Sequence, residues 1–304
     1  MIKLPFIQTS VFIDDKYSFS GNQLATFTDE TENNKLSQEE MLGITLEMNF
    51  SESTFVFPAK DHKNLAYVRI FTPDREVPFA GHPTLGTTFV LKETGFFDHE
   101  EEITLELGIG PIKVDCEKNS NFVMKQKKPE ILKSFNNKEG LMEILDLNED
   151  DFLNYKPEFI STGFPFLIVP LKTLDAVKNA HINTKLQLEY LKGEPSQEIL
   201  IFSPEAIHEE NDLHARMFAP SAGVIEDPAT GSAMGPLGMY VEHHKILPTE
   251  EKGRKLVVEQ GYEIRRPSKL EIQVLYQNKE VIGVKVGGRV KKTADGNFYL
   301  KRKK

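Results

Sequence analysis

Hydrophobic and polar positions change period often along this chain, and alternating runs outnumber helical ones. Residues 4–13 alternate loosely and are rich in β-formers; a turn at Ser20, Gly21 and Asn22 leads into a second extended run at 23–28. From 36 to 48 apolar residues recur at helical spacing. Ser37 is the N-cap candidate and Glu40, three residues on, completes a capping box, so the pattern predicts a helix ending near Asn49. Extended runs follow at 51–59 and 67–71. A helix is then predicted from Pro83, a good first helical residue, to Gly95, a good residue just past a helix end. Its interior, TLGTTFVL, has hardly any polar face, which places it in the middle of a curved sheet. Residues 103–116 read as two strands around a turn at 108–110. A charged, irregular stretch at 118–151 holds a helical piece near 138–145. Then come 159–171, either a strand pair or one strand bulged at Gly163, a mainly helical 174–191, and a strand at 199–202 that matches 54–57. After a second central helix, strands at 256–260 and 270–275 flank a turn at Arg265, Arg266 and Pro267. Strands at 281–290 and 298–300 complete the chain. With few helices between strands, most pairing should be antiparallel or mixed.

Two stretches echo each other: RIFTPDREVPFAGHPTLGTTFV at 69–90 and RMFAPSAGVIEDPATGSAMGPLGMY at 216–240. In order, Arg69 pairs with Arg216, Phe71 with Phe218, Pro73 with Pro220, Pro83 with Pro228, Gly86 with Gly231 and Thr87 with Ser232. Repetition at about half the chain length is the mark of an internal duplication, so two related halves are expected. Each would present a helix start built of small residues, where backbone N–H groups approach a ligand closely and the helix dipole favours an anion. If the two starts face each other across a cleft, the natural guest is a small carboxylate.

Composition narrows the partners. The 304 residues suffice for two domains, and the net charge of −9 with pI near 5.5 argues against a nucleic-acid surface. The one dense basic run, KRKK at 301–304, reads as a solvated tail. The single cysteine, Cys116, permits neither a disulfide nor a Cys-based metal site, which fits a cytoplasmic protein. No stretch approaches the roughly 20 apolar residues that span a bilayer, so no membrane partner is expected.

Candidate chemistry gathers around the two echoed stretches. Glu52, just before an apolar strand, is either a solvated strand end or, if the fold carries it to the cleft, an acid–base group. His82, directly before Pro83, is either a capping histidine or an imidazole facing an anion. Asp227 stands before Pro228 as an N-cap or a site residue, and Thr230, Gly231 and Ser232 offer hydroxyl and N–H donors or simply tight packing. P-loop, HExxH and GxSxG patterns are missing from the sequence. The pair His243 and His244 has no carboxylate at metal-ligand spacing, so no metal site is expected there.

Several motifs occur in an order that resembles the phenazine-biosynthesis PhzF-like proteins, within the wider diaminopimelate epimerase-like fold. They are Gly21-Asn22, SESTFV at 51–56, FAGHPTLG at 79–86, STGFPFLIVP at 161–170, EDPATGSA at 226–233 and QGYEIRRPS at 260–268. The resemblance implies an α+β fold of two pseudo-symmetric domains, each a curved mixed β-sheet wrapped around a central helix. The expected domains are 1–120, joined by the C-terminal strand 292–304, and 121–291. It implies an isomerase that uses no metal or organic cofactor, works as a homodimer, and moves a proton between carbons of a small cyclic or amino-acid-derived carboxylate. Residues implied as catalytic are Glu52, which shuttles the proton, His82 and Asp227; Gly81, Thr230, Gly231 and Ser232 are implied to bind substrate. Where the wider fold's epimerases use two cysteines, this chain has Thr or Ser, so a two-thiol racemase is disfavoured. Gln23 replaces the proline that usually follows Gly-Asn, and Gly235 and Pro236 are unfriendly to the second central helix. Glu198 is the counterpart of Glu52 and, with no motif around it, is assigned no role. The competing reading is a non-catalytic small-carboxylate-binding or interaction protein that keeps the fold.

Overall fold

The computed structural model describes residues 1–248, 255–278 and 280–302. The chain divides into two compact units. One comprises Met1–Asp15, Ser20–Met124 and Gly287–Lys304, the other Lys16–Phe19 and Lys125–Val286.

In the first unit Asn22–Phe27 lies antiparallel to Ile2–Val11 and parallel to Glu52–Phe57. Glu52–Phe57 is antiparallel to Ala66–Phe71, which runs parallel to Glu102–Leu107, and that strand turns back into Gly110–Cys116. Asn121–Gln126 follows, and the C-terminal strand pairs with both it and Ile2–Val11, so the sheet closes on itself. Inside it lies the helix Gly81–Glu93, buried at every position from Gly81 to Leu91. That burial is what an apolar helix without a polar face requires. Gly86 lets the helix approach the sheet: a Cβ there would stand 2.6 Å from a Leu24 methyl and 2.8 Å from Val11. Strand alternation divides the side chains. Thr54 faces inward, in a buried hydroxyl chain with Thr26 and Thr87 at 2.9 Å each. Phe55 faces outward, stacked on Phe27 at 4.8 Å, and the helix Gln38–Met48 covers that face with Met41 and Ile44. The Ser37 and Glu40 capping box is formed as expected.

The second unit repeats this connectivity element for element. Glu158–Ser161 and Pro165–Pro170 form an antiparallel hairpin through Gly163, which selects the strand-pair reading of 159–171. Pro165–Pro170 runs parallel to Ile199–Ser203, which pairs antiparallel with Leu213–Ala219. Leu213–Ala219 is parallel to Lys255–Gln260, and that strand turns back into Ser268–Gln277. The helix Gly231–His243 is this unit's buried centre. The 174–191 segment is two helices, Leu174–Asn179 and Thr184–Tyr190, because Asn183 caps the second through Leu186 N–H. The link between them bonds backbone to backbone with Leu145 and Ile144. The strands expected at 281–290 and 298–300 are one strand, Glu280–Leu300. The fold is thus α+β, a curved mixed sheet around a helix occurring twice, as the resemblance implies.

The duplication is real, but the helix pairing expected from the sequence is five residues out of register. Arg69 forks onto Glu76 at 2.8 and 2.6 Å and lies 5.1 Å over Phe71; Arg216 forks onto Glu226 at 3.0 and 2.9 Å and lies 5.0 Å over Phe218. The helices begin five residues after each glutamate, at Gly81 and Gly231. Glu76, Pro78, Gly81 and His82 therefore match Glu226, Pro228, Gly231 and Ser232. Pro83 is the third helical residue, whereas Pro228 precedes its helix, so the pairs Pro83–Pro228, Gly86–Gly231 and Thr87–Ser232 do not hold. Phe71 lies opposite Ser53 and Phe218 opposite Ile199. That register makes Glu198 the counterpart of Glu52 and shifts the match of 199–202 by one residue, onto 53–56.

Among the described residues no helix is long and apolar enough to cross a membrane. Of the basic run at 301–304, Arg302 is held by Glu40 at 2.6 and 2.7 Å, and residues 303 and 304 lie outside the described residues.

Candidate active site

Each unit brings its own share of the expected residues together at a helix start. In the first, Leu24 lies opposite Glu52 in the parallel pair, so the beginnings of both strands reach the same end of the sheet. Gly21 makes the entry: its φ of +77° is left-handed, and a Cβ there would stand 2.6 Å from the Val11 carbonyl oxygen. A side chain there would be strained and obstructed at once. The turn sets Asn22 against His82, whose Nδ1 is 3.2 Å from the Asn22 amide nitrogen. His82 Nε2 lies 3.3 Å from the Gln23 carbonyl oxygen and 3.5 Å from Glu52 Oε2. With the amide donating to Nδ1, the network assigns the proton to Nε2, which donates to Gln23 and faces the Glu52 carboxylate. His82 is not at the helix cap; it is the second helical residue, after Gly81. Its side chain is 3% exposed, and burial pushes its pKa down to about 3 against the smaller upward pull of the Gln23 carbonyl. The imidazole is therefore neutral, and its contact with Glu52 is an N–H dipole against a carboxylate. The Glu52 side chain is 16% exposed, a largely enclosed group rather than a solvated strand end.

In the second unit the strand Val224–Asp227 delivers Asp227, which is buried. Thr230 Oγ1 donates to Asp227 Oδ2 at 2.6 Å. Asp227 is not the N-cap, because Thr230 holds that place and the helix starts at Gly231. Gln260, fully buried, ties the loop together: its Nε2 donates to the Asp227 carbonyl at 2.7 Å and to Thr230 Oγ1 at 3.0 Å, and its Oε1 accepts from Thr230 N–H at 3.2 Å. Gln126 braces the other side, donating to the Gly231 carbonyl at 2.8 Å while accepting from Thr162 at 3.0 Å. A Cβ on Gly235 would fall 2.0 Å from Gln126 Oε1, which accounts for a glycine in this helix. The helix runs on through Pro236. Ser232 is half-buried in the place His82 takes in the other unit. Neither central helix has a side-chain cap bond, so its first-turn N–H groups and dipole suit an anion.

Behind Asp227 a charged network fixes the strands. The Glu259 carboxylate accepts from His214 Nδ1 at 3.0 Å, Asn211, and the N–H groups of Ile207 and His208. Glu263 accepts from His214 Nε2 at 2.9 Å and stands 4.0 Å from Arg216. Burial pulls the His214 pKa down, but the two carboxylates outweigh it and hold the imidazolium above its ordinary range.

Asn22 and Gln260 join the site without a chemical signature of their own in the sequence. Both stand in the quoted motifs, Gly21-Asn22 and QGYEIRRPS, which was the available signal. Glu198 is buried and accepts from Ser196 Oγ at 2.5 Å, Ser221 Oγ at 2.6 Å and Gln197 N–H at 3.2 Å. Its environment is thus a hydroxyl cage.

The sequence profile described as PhzC-PhzF, phenazine biosynthesis-like protein, matches residues 10–296. The chain is 33% identical to the trans-2,3-dihydro-3-hydroxyanthranilate isomerase of Pseudomonas aeruginosa, over 92% of this chain and 94% of that one. It is 31% identical to an uncharacterized isomerase of Clostridium acetobutylicum, over 90% and 91%. The crystal structure of the Bacillus anthracis phenazine biosynthesis protein, PhzF family, superposes with a TM-score of 0.87 at 26% identity, covering 99% of this chain and all of that one. The chain belongs to the phenazine biosynthesis-like PhzC-PhzF family and is an isomerase.

Proposed function

We propose that the protein is a cofactor-independent isomerase that moves a proton between two carbons of a small cyclic or amino-acid-derived carboxylate, with Glu52 as the acid–base group. The observation that carries this reading is the enclosed Glu52 carboxylate 3.5 Å from the Nε2 of a buried, neutral His82. A neutral imidazole donates a hydrogen bond without supplying a proton of its own at neutral pH, which leaves Glu52 to do the transfer. Glu52 takes a proton as a C–H bond breaks; the electron pair enters the adjacent double-bond system as an enolate-like charge. Glu52 then returns the proton to a second carbon and the double bond moves. Every species in the balance is the substrate, the proton and the carboxylate.

In this reading the two halves are epimerase-like domains, each of which offers a helix start to the substrate. Gly81, Thr230, Gly231 and Ser232, at the helix starts, hold the substrate carboxylate and stabilise the developing enolate-like charge, while His82 and Asp227 shape and polarise the site. The protein works in the cytoplasm as a homodimer. The name of the P. aeruginosa relative makes trans-2,3-dihydro-3-hydroxyanthranilate the first substrate to try.

The test is NMR of that compound with the purified protein in D₂O, beside Glu52→Gln. The wild type should convert it and place solvent deuterium in the product. The variant should be slower by about 10² to 10⁴, the range for a positioned acid–base group, with an unchanged circular dichroism spectrum. A variant that turns over at near the wild-type rate removes Glu52 from the mechanism. A wild type that binds the compound without exchanging any of its protons favours the non-catalytic carboxylate-binding reading.

A further inference from the structure

The pair His243 and His244 lies at the far end of the second central helix from Gly231, about 18 Å away at 1.5 Å per residue. Spacing along the chain offered it no carboxylate. Packing of the helix against a strand supplies one: Glu158 opens the strand Glu158–Ser161, and its Oε2 is 3.1 Å from His244 Nε2. Among the described residues, Glu158, His243 and His244 form a group whose three potential ligand atoms all lie within 4.8 Å of one another.

Consecutive helical residues normally diverge by about 100°, yet here the helix ends between them. His243 is its last residue and His244 the C-cap. Lys245 turns left-handed at φ +51°, and Ile246 N–H returns to the Val241 carbonyl. The two imidazoles meet edge to face with centroids 4.8 Å apart. His244 is further fixed by Tyr240 at 4.4 Å and Tyr155 at 5.2 Å. Glu158 is buried, so its carboxylate cannot swing freely into water, while His243 is exposed and gives access. The C-terminal end of the helix dipole adds to the attraction for a cation.

We propose that Glu158, His243 and His244 form a binding site for a divalent transition-metal ion of the Zn²⁺ class. Two imidazole nitrogens and one carboxylate oxygen are ligands that such ions favour, leaving a position for water. Bonds of about 2.0–2.1 Å in tetrahedral geometry put ligand atoms about 3.3 Å apart, close to the Glu158–His244 separation. Bringing in the third atom takes a rotation of the exposed His243 ring. Metal binding requires a deprotonated His244 Nε2, so any proton on that nitrogen moves to Nδ1 or to solvent as the ion enters. The ion would tie the end of the central helix to the strand of Glu158.

The test is titration of the untagged, chelator-stripped protein with ZnCl₂ by calorimetry, with Co²⁺ absorption reporting the ligand geometry. One ion per chain is expected at micromolar affinity, with tetrahedral cobalt bands and a melting temperature raised by a few degrees in excess Zn²⁺. His243→Ala, His244→Ala and Glu158→Gln should each weaken binding at least tenfold, whereas His99→Ala, at an exposed position, should not. His243→Ala changes an exposed side chain and keeps the test valid if Glu158→Gln fails to fold. Zn²⁺ that does not bind at about 100 μM, or binds the His243 and His244 variants as it binds the wild type, overturns the proposal.

Discussion

His82 and His214 are both enclosed, at 3% and 0% side-chain exposure, yet their protonation is pushed in opposite directions. His82 has an amide, a carbonyl and the side of one carboxylate around it, and burial wins: its pKa falls to about 3. His214 stands between the carboxylates of Glu259 and Glu263, at 3.0 and 2.9 Å, and is held protonated. Burying an ion costs several kcal/mol, which two well-aligned opposite charges offset and a pair of neutral dipoles does not. Burial alone therefore does not say what a histidine does. The charged one fastens strands together; the neutral one sits beside the proposed acid–base group as a donor that does not compete for its proton.

The largest effect that would sharpen this contrast is in stability. His214→Leu leaves the buried Glu259 and the half-buried Glu263 together without their shared cation and should cost about 3–5 kcal/mol in denaturant unfolding. His82→Asn gives up neutral hydrogen bonds and should cost about 1–2 kcal/mol; equal losses would break the comparison. The pH profiles should also have opposite signs. An unfolded histidine titrates near 6.5 and His82 near 3, so between those values the unfolded chain binds more protons and the His82 contribution to stability falls as pH is lowered. His82→Asn should flatten that part of the profile. His214, raised in the folded state, contributes fully below pH 6.5, and its contribution is lost as pH rises through the folded pKa; His214→Leu should remove that alkaline loss. Gln260→Ala removes the buried partner of Thr230 N–H and should cost about 1–3 kcal/mol, with slower turnover if Thr230 and Asp227 serve the reaction. The smallest effect is Ser37→Ala, about 1 kcal/mol from the lost cap, with turnover unchanged.

What could be read from sequence was local or repeated. The Ser37–Glu40 capping box, the apolar helix after Gly81 and the alternating strands each follow from a few neighbouring residues. The duplication was visible too, but its register was set by the look-alike prolines Pro83 and Pro228. The true anchors are Glu76 and Glu226, whose meaning appears only when Arg69 and Arg216 close onto them across strands. The break at 180–183 was hidden because both sides have helical spacing, and it is fixed by Asn183 and by backbone bonds to a distant helix end. Glu52 and His82 each stand out in the sequence, but their 3.5 Å approach depends on a parallel strand pairing that no spacing reveals. Glu158 beside His244, residues 86 apart in the chain, is equally hidden, because it depends on a helix packing against a strand.

Glu52 carries the proton alone only if His82 stays neutral. The direct measurement is ¹⁵N NMR of histidine-labelled protein from pH 5 to 8, with His82 assigned by comparison with His82→Asn. The account predicts one protonated nitrogen, Nε2, across the whole range, while His214 shows both nitrogens protonated at pH 6. A His82 ring doubly protonated at pH 6, or protonated on Nδ1, would contradict it.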